Sequence, residues 1–151
     1  MIKLSDVYKK AKEFKNNYFG GIAWRIKSHS KIIERHLNPG EKVLYVFCGQ
    51  KNNEFYNIFT SCVVALTNKR LLVGQKRVIW GYFLTSVTPD LYNDLKVYQG
   101  LFWGKVIIDT VKEEIILSNL PKGALNEIET NITEYMMREK KRYGLSLKNA
   151  K

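Results

Sequence analysis

Residues 63–73 read VVALTNKRLLV. Two apolar runs flank Asn68-Lys69, with Thr67 and Arg70 as polar shoulders. Asn accepts a positive φ at little cost, so Asn68-Lys69 predicts a two-residue turn whose twist suits antiparallel strands. The β-branched and leucine-rich flanks suit a pleated surface that is at least half-buried. The stretch therefore predicts a hairpin in the middle of a small sheet.

The pattern continues outward on both sides. The arms of the hairpin are expected over 59–67 and 70–76. A continuous apolar run at 43–49 (VLYVFCG) predicts the strand before them, with a polar loop at 50–57 (QKNNEFYN) between. Beyond the hairpin, strands are expected over 78–87, 95–101, 105–110 and 114–120. Pro89-Asp90 interrupts the series, and Gly100 and Gly104 flank a reversal at Leu101-Phe102-Trp103. Pro121 suits the first turn of a long final helix. Leu125, Ile128, Ile132, Tyr135 and Met136 form its apolar stripe, and Gly144 is expected to end it.

Two helices are expected ahead of the sheet. Over 3–16, Leu4, Val7, Tyr8, Ala11 and Phe14 recur at spacings of three and four, lysines cover the other face, and Ser5 or Asp6 can cap the start. Gly20-Gly21 breaks the pattern. Over 22–37, Ile22, Ile26, Ile33 and Leu37 make one stripe with Trp24 beside it, and Asn38-Pro39-Gly40 stops it. Short isolated helices are marginal in water, so the pair needs a partner, and docking on the sheet is the expected one. The division is then a helical extension at 1–42, a sheet-and-helix domain at 43–141, and a flexible tail at 142–151.

The formal charge is +11, from 25 basic and 14 acidic residues. Residues 1–42 hold ten basic side chains against four acidic ones, and 121–151 hold seven against four. Residues 43–120 are nearly balanced at eight against six. A field gathered at the two ends attracts lipid headgroups, nucleic acid or an acidic protein face. No apolar run approaches the roughly 18 residues of a membrane crossing. No apolar segment follows the N-terminal lysines as a signal peptide requires, so the expected location is the cytoplasm, with peripheral membrane contact.

Cys48 and Cys62 each sit in an apolar strand-like run and read as buried thiols, close together if their strands pair. His29 and His36 lie seven residues apart on one helix, hence on one face, and read as exposed residues, since no HExxH pattern supports ligation. The chain lacks GxSxG, P-loop and Rossmann fingerprints, and its carboxylates form no recognisable acid–base pair. The expectation is no enzyme activity and no cofactor.

Three short motifs occur in order: Leu66-Thr67-Asn68-Lys69-Arg70-Leu71, Gly100-Leu101-Phe102-Trp103-Gly104-Lys105, and Leu120-Pro121-Lys122. Together with the strand order they resemble the bacterial pleckstrin-homology (PH) domains of the YokE-like group, over about residues 43–141. The resemblance implies a mainly β α+β fold. Seven antiparallel strands in two nearly orthogonal sheets would form an open barrel capped by a C-terminal helix. It also implies a non-catalytic module that docks on a protein partner or an anionic membrane surface. Relatives that hold phosphoinositides do so with several basic residues on the first two strands and their loop. This chain departs from that pattern, with Lys51 alone beside Glu54.

Candidate contacts are Trp24, Lys27, Lys31 and Arg35 on the extension, and Lys51, Lys69 and Arg70 on the barrel. Lys69-Arg70 and Lys76-Arg77 fall at opposite ends of one strand, about 20 Å apart, and so form no single pocket. A nucleic-acid-binding alternative rests on Tyr8, Phe14, Tyr18, Phe19 and Trp24, interleaved with lysines as stacking platforms. Self-association through an exposed strand edge, giving a homo-oligomer, is a further expectation.

Overall fold

The structure is a computed structural model that describes residues 5–52 and 58–149. Lys3 and Leu4 of the first expected helix, residues 53–57 of the polar loop, and the last two residues of the tail lie outside the described residues.

Helix α1 (Asp6–Asn17) begins where Ser5 Oγ accepts a hydrogen bond from the Tyr8 N–H at 3.2 Å, and it buries Val7, Ala11 and Phe14. Helix α2 (Ile26–Arg35) starts four residues later than its apolar spacing predicts. The preceding residues are a connector held to the rest of the fold, with the Ile22 N–H donating to the Asn119 carbonyl at 3.0 Å. Arg25 closes this connector in the left-handed region at φ 56°, which costs a non-glycine residue about 1–2 kcal/mol.

Seven strands follow: β1 (Val43–Lys51), β2 (Ser61–Thr67), β3 (Leu71–Lys76), β4 (Tyr82–Val87), β5 (Tyr92–Gln99), β6 (Gly104–Thr110) and β7 (Glu114–Leu120). All pairings are antiparallel, in the order β4-β3-β2-β1-β7-β6-β5. The two sheets of the expected barrel are therefore one open sheet. Its four-strand and three-strand halves join at the end of β1, where Gln50 pairs with Ser118 and Lys51 with Leu117, and the Asn52 N–H donates to the Ile116 carbonyl at 2.9 Å. Several boundaries differ from expectation, β1 running on to Lys51 and β5 spanning Tyr92–Gln99 rather than 95–101. β2 is preceded by a short 3-10 turn at Ile58–Thr60, and residues 78–81 are a turn rather than the start of β4.

The hairpin at 63–73 forms as expected, but for a different reason at Asn68. Its φ is not positive. The Asn68 amide instead ties the turn to the start of β1: Oδ1 accepts from the Lys42 N–H at 2.8 Å, and the Asn68 N–H donates to the Lys42 carbonyl at 2.9 Å. Thr67 closes the turn from within, its hydroxyl oxygen accepting from the N–H groups of Lys69 and Arg70, each at 3.1 Å.

β2 is buried at every position. A strand that is apolar on both faces needs cover on both. α1 packs on β1 and α2 on β3 and β2, so these two helices supply the outer cover. The fit is close enough to require glycine at 74, where an added Cβ would lie 2.7 Å from Ile33 Cγ1 and 3.2 Å from the His29 carbonyl. α3 (Leu125–Asn149) buries Leu125, Ile128, Ile132, Tyr135 and Met136 as the stripe predicts. It passes through Gly144 and reaches Asn149, so Gly144 does not end it and residues 142–149 are helical rather than a loose tail.

Cys48 pairs with Val63 and Cys62 with Gly49. That one-residue offset puts the two thiols on opposite faces of the sheet. Both are free and buried, and burial pushes the Cys62 thiol up to about 12.

Candidate docking surface

The five residues Arg77-Val78-Ile79-Trp80-Gly81 connect β3 to β4. Two features build the turn: the Arg77 N–H donates to the Gly81 carbonyl at 3.0 Å, and Gly81 takes φ 86°. Its apolar residues face outward. Val78 is 47%, Ile79 87% and Trp80 74% exposed. Phe59, Tyr82 and Phe83 beside them are also exposed. Single exposed apolar residues are ordinary, whereas a contiguous patch marks a contact surface.

Cations surround this turn. Arg77 and Lys51 stand over the same Phe83 ring, at 5.3 and 5.0 Å from its centroid. Arg25 lies 5.4 Å from the Trp24 centroid and donates from Nη1 to the Arg77 carbonyl at 3.4 Å. Trp24 meets Phe59 edge-on at 5.8 Å. The register explains why these residues converge. Gln50↔Ser61, Val63↔Gly74 and Lys76↔Tyr82 bring the end of β1, the start of β2 and the β3–β4 turn to one end of the sheet. Among the described residues none of Arg25, Lys51 and Arg77 forms an ion pair, and no carboxylate lines the turn.

Lys27, Lys31 and Arg35 are exposed along the outward face of α2, one turn apart. They too have no ion pair among the described residues. α2 begins beside the β3–β4 turn, because His29 bonds to Lys76, so the stripe leads away from the turn along α2.

His29 corrects an expectation. It is 1% exposed, not a surface residue. Its Nδ1 accepts from the Lys76 N–H at 2.7 Å, which leaves the proton on Nε2 to donate to Ser61 Oγ at 2.9 Å. The Ser61 hydroxyl then donates to the Trp24 carbonyl at 3.0 Å. This relay locks α2 and the connector to β2 and β3. Burial, with the Arg25 charge adding to it, lowers the imidazole to about 4, so it stays neutral. His36 is half-buried at the end of α2, its Nδ1 2.7 Å from the Ile32 carbonyl and its Nε2 3.2 Å from the Tyr82 hydroxyl.

Arg70 is a second correction. Its side chain is only 17% exposed, and its donors are committed inside the fold. Nε and Nη2 fork onto Glu41 at 3.2 Å each, Nη2 also reaches the His36 carbonyl at 2.7 Å, and Nη1 reaches Ser86 Oγ at 3.3 Å. Burial alone raises the Glu41 carboxyl. Arg70, the Asn38 N–H and the Thr67 hydroxyl more than reverse that and hold it below its ordinary value. Arg70 thus acts as a clasp within the fold, joining Glu41, the end of α2 and β4. Lys69 is exposed in the hairpin turn, beside a shallow depression formed with Asp90, Glu139 and Arg142.

Of the seven residues named from sequence, Lys69 and Arg70 lie at the hairpin turn, Lys27, Lys31 and Arg35 along α2, and Trp24 and Lys51 at the surface around the β3–β4 turn. Arg25, Arg77 and the apolar turn belong to the same surface, and the sequence patterns do not single them out. The stacking platforms of the nucleic-acid reading are largely spent on packing. Phe14 is buried against Phe47, and Tyr18 lies on Phe14 at 5.2 Å. No group of three or more His, Cys, Asp or Glu able to hold a metal occurs among the described residues. No described helix is long and apolar enough to cross a membrane.

Residues 37–134, well over half of the chain, match a family model described as Bacterial PH domain. No curated protein and no solved structure matches the chain.

Proposed function

The chain belongs to the bacterial PH domain family, and from that premise we propose that it is a non-catalytic docking module for an anionic surface. That surface is a membrane leaflet or the acidic face of a protein partner. One observation carries the reading. Six cations, Arg25, Lys27, Lys31, Arg35, Lys51 and Arg77, lie along α2 and around the β3–β4 turn beside which α2 begins, with no ion pair among the described residues. Each basic side chain brought near an anionic leaflet contributes about 1 kcal/mol, and the attraction weakens with salt.

Vesicle flotation tests it. The full chain is expected to float with phosphatidylcholine vesicles that contain phosphatidylglycerol, not with phosphatidylcholine alone, and to float less as salt rises. Charge reversal at Lys27, Lys31 and Arg35 together is expected to reduce flotation by at least tenfold. Failure to float at low salt rejects the membrane version, because exposed cations attract most strongly there. An acidic protein partner is then the surviving form of the reading.

A further inference from the structure

We propose that the β3–β4 turn is a membrane wedge. On this reading Val78, Ile79 and Trp80 enter the boundary between headgroups and acyl chains of an anionic leaflet, while Arg25, Lys51 and Arg77 hold the phosphates around them. The inference rests on the docking reading above and goes further, because it assigns the contact, its orientation and the lipid as partner.

Three observations support it. The most exposed apolar residues of the turn, Ile79 and Trp80, sit at its middle, and the cations Arg25, Lys51 and Arg77 beside it form no ion pair among the described residues. Trp flanked by basic residues matches the layering of a bilayer, in which amphipathic rings settle at the headgroup level and cations meet phosphates just above. The turn is built rather than loose, since the Arg77–Gly81 hydrogen bond and the Gly81 backbone shape it before any contact is made. Preorganisation of this kind lowers the ordering cost of binding.

The charge pattern also selects among occupants. A second copy of this chain docking turn to turn would bring the two sets of cations together. An anionic leaflet instead meets these cations with opposite charge and yields to the turn.

Tryptophan fluorescence separates this proposal from simple electrostatic docking. The variant Trp24→Phe/Trp103→Phe retains Trp80 as its one tryptophan. On adding phosphatidylglycerol-containing vesicles, its emission is expected to shift to the blue and to be quenched by lipids brominated on their acyl chains. The companion variant Trp24→Phe/Trp80→Phe reports from the separate turn at Trp103 and is expected not to respond. Ile79→Ser, at an exposed position where folding is unaffected, is expected to lower vesicle partitioning about tenfold while keeping the salt dependence.

A protein that floats while Trp80 stays unshifted and unquenched overturns the wedge and leaves electrostatic docking intact. So does an Ile79→Ser variant that floats like its parent, or quenching of Trp103 in place of Trp80. Absence of flotation at low salt removes the docking on membranes and the wedge together, and leaves the turn to a protein partner.

Discussion

Acidification should loosen the lock between α2 and the sheet, and His29 sets how much. Its imidazole has an ordinary value of 6.5 and is lowered to about 4 in the fold. The folded value lies below the unfolded one, so the contribution is complete above 6.5 and is lost as pH falls toward about 4. Each tenfold difference in proton affinity between the folded and unfolded chain is worth about 1.36 kcal/mol. The folded state therefore loses about 2 kcal/mol between about pH 7.5 and about pH 5 through this group alone. Protonation has a clear structural cost. A proton on Nδ1 would face the Lys76 N–H at 2.7 Å, donor against donor, beside the Arg25 charge.

The comparison is with His29→Gln, which can still donate to Ser61 but does not titrate. Urea unfolding followed by tryptophan fluorescence gives the stability of both proteins at the two pH values. His29→Gln is expected to be less stable by about 1–3 kcal/mol at the higher pH, having left the Lys76 N–H unpaired. It is also expected to lose about 2 kcal/mol less than the parent on acidification. Other groups that titrate in this range are common to both proteins and cancel. Parallel pH profiles for the two would refute the reasoning, since they would mean that the buried imidazole is not what senses the proton.

Three further outcomes follow from the geometry. Arg70→Gln strips the partner from the Glu41 carboxylate, whose side chain has no exposure, and should destabilise the fold by about 3 kcal/mol in urea. It should do so without changing vesicle flotation, which would separate a clasp from a contact residue. Gly74→Ala drives a methyl group against Ile33 and the His29 carbonyl and should cost about 1–3 kcal/mol by lifting α2, read as a lowered urea midpoint. Arg25→Gly relieves a left-handed backbone while removing one cation beside the β3–β4 turn, so flotation should fall severalfold with stability unchanged or improved by up to about 1 kcal/mol.

The strands are legible in the sequence because their apolar runs are bounded by turn residues, and the stripe of α3 because its spacing never leaves one face. Gly144 misleads because a glycine inside a helix costs only about 1 kcal/mol and ends it only when it adopts a left-handed cap. Val78-Ile79-Trp80 imitate a strand because β-branched and aromatic residues favour one. The signal against it is present: a run without alternation, set between Lys76-Arg77 and Gly81. The burial of His29 is also within reach, since it falls between Ile26 and Ile33 on the apolar stripe of α2. The role of Arg70 is not, because Glu41, His36 and Ser86 reach it only through tertiary packing. The grouping of Arg25, Lys51 and Arg77 is invisible for the same reason, its members coming from α2's connector, β1 and the β3–β4 turn.

The cover that α1 and α2 give to β1–β3 also imposes an order on biosynthesis. Both helices are translated before any strand they will cover exists. Ile33 leaves the ribosome well ahead of Gly74, against which it finally rests. Through that interval Val7, Ala11, Phe14, Ile26 and Ile33 lack the platform that buries them in the finished fold, and apolar surface exposed in this way makes an unfinished chain prone to aggregate. Yield in the cell should therefore respond to how fast the first hairpin is elongated, even where the finished fold is unchanged.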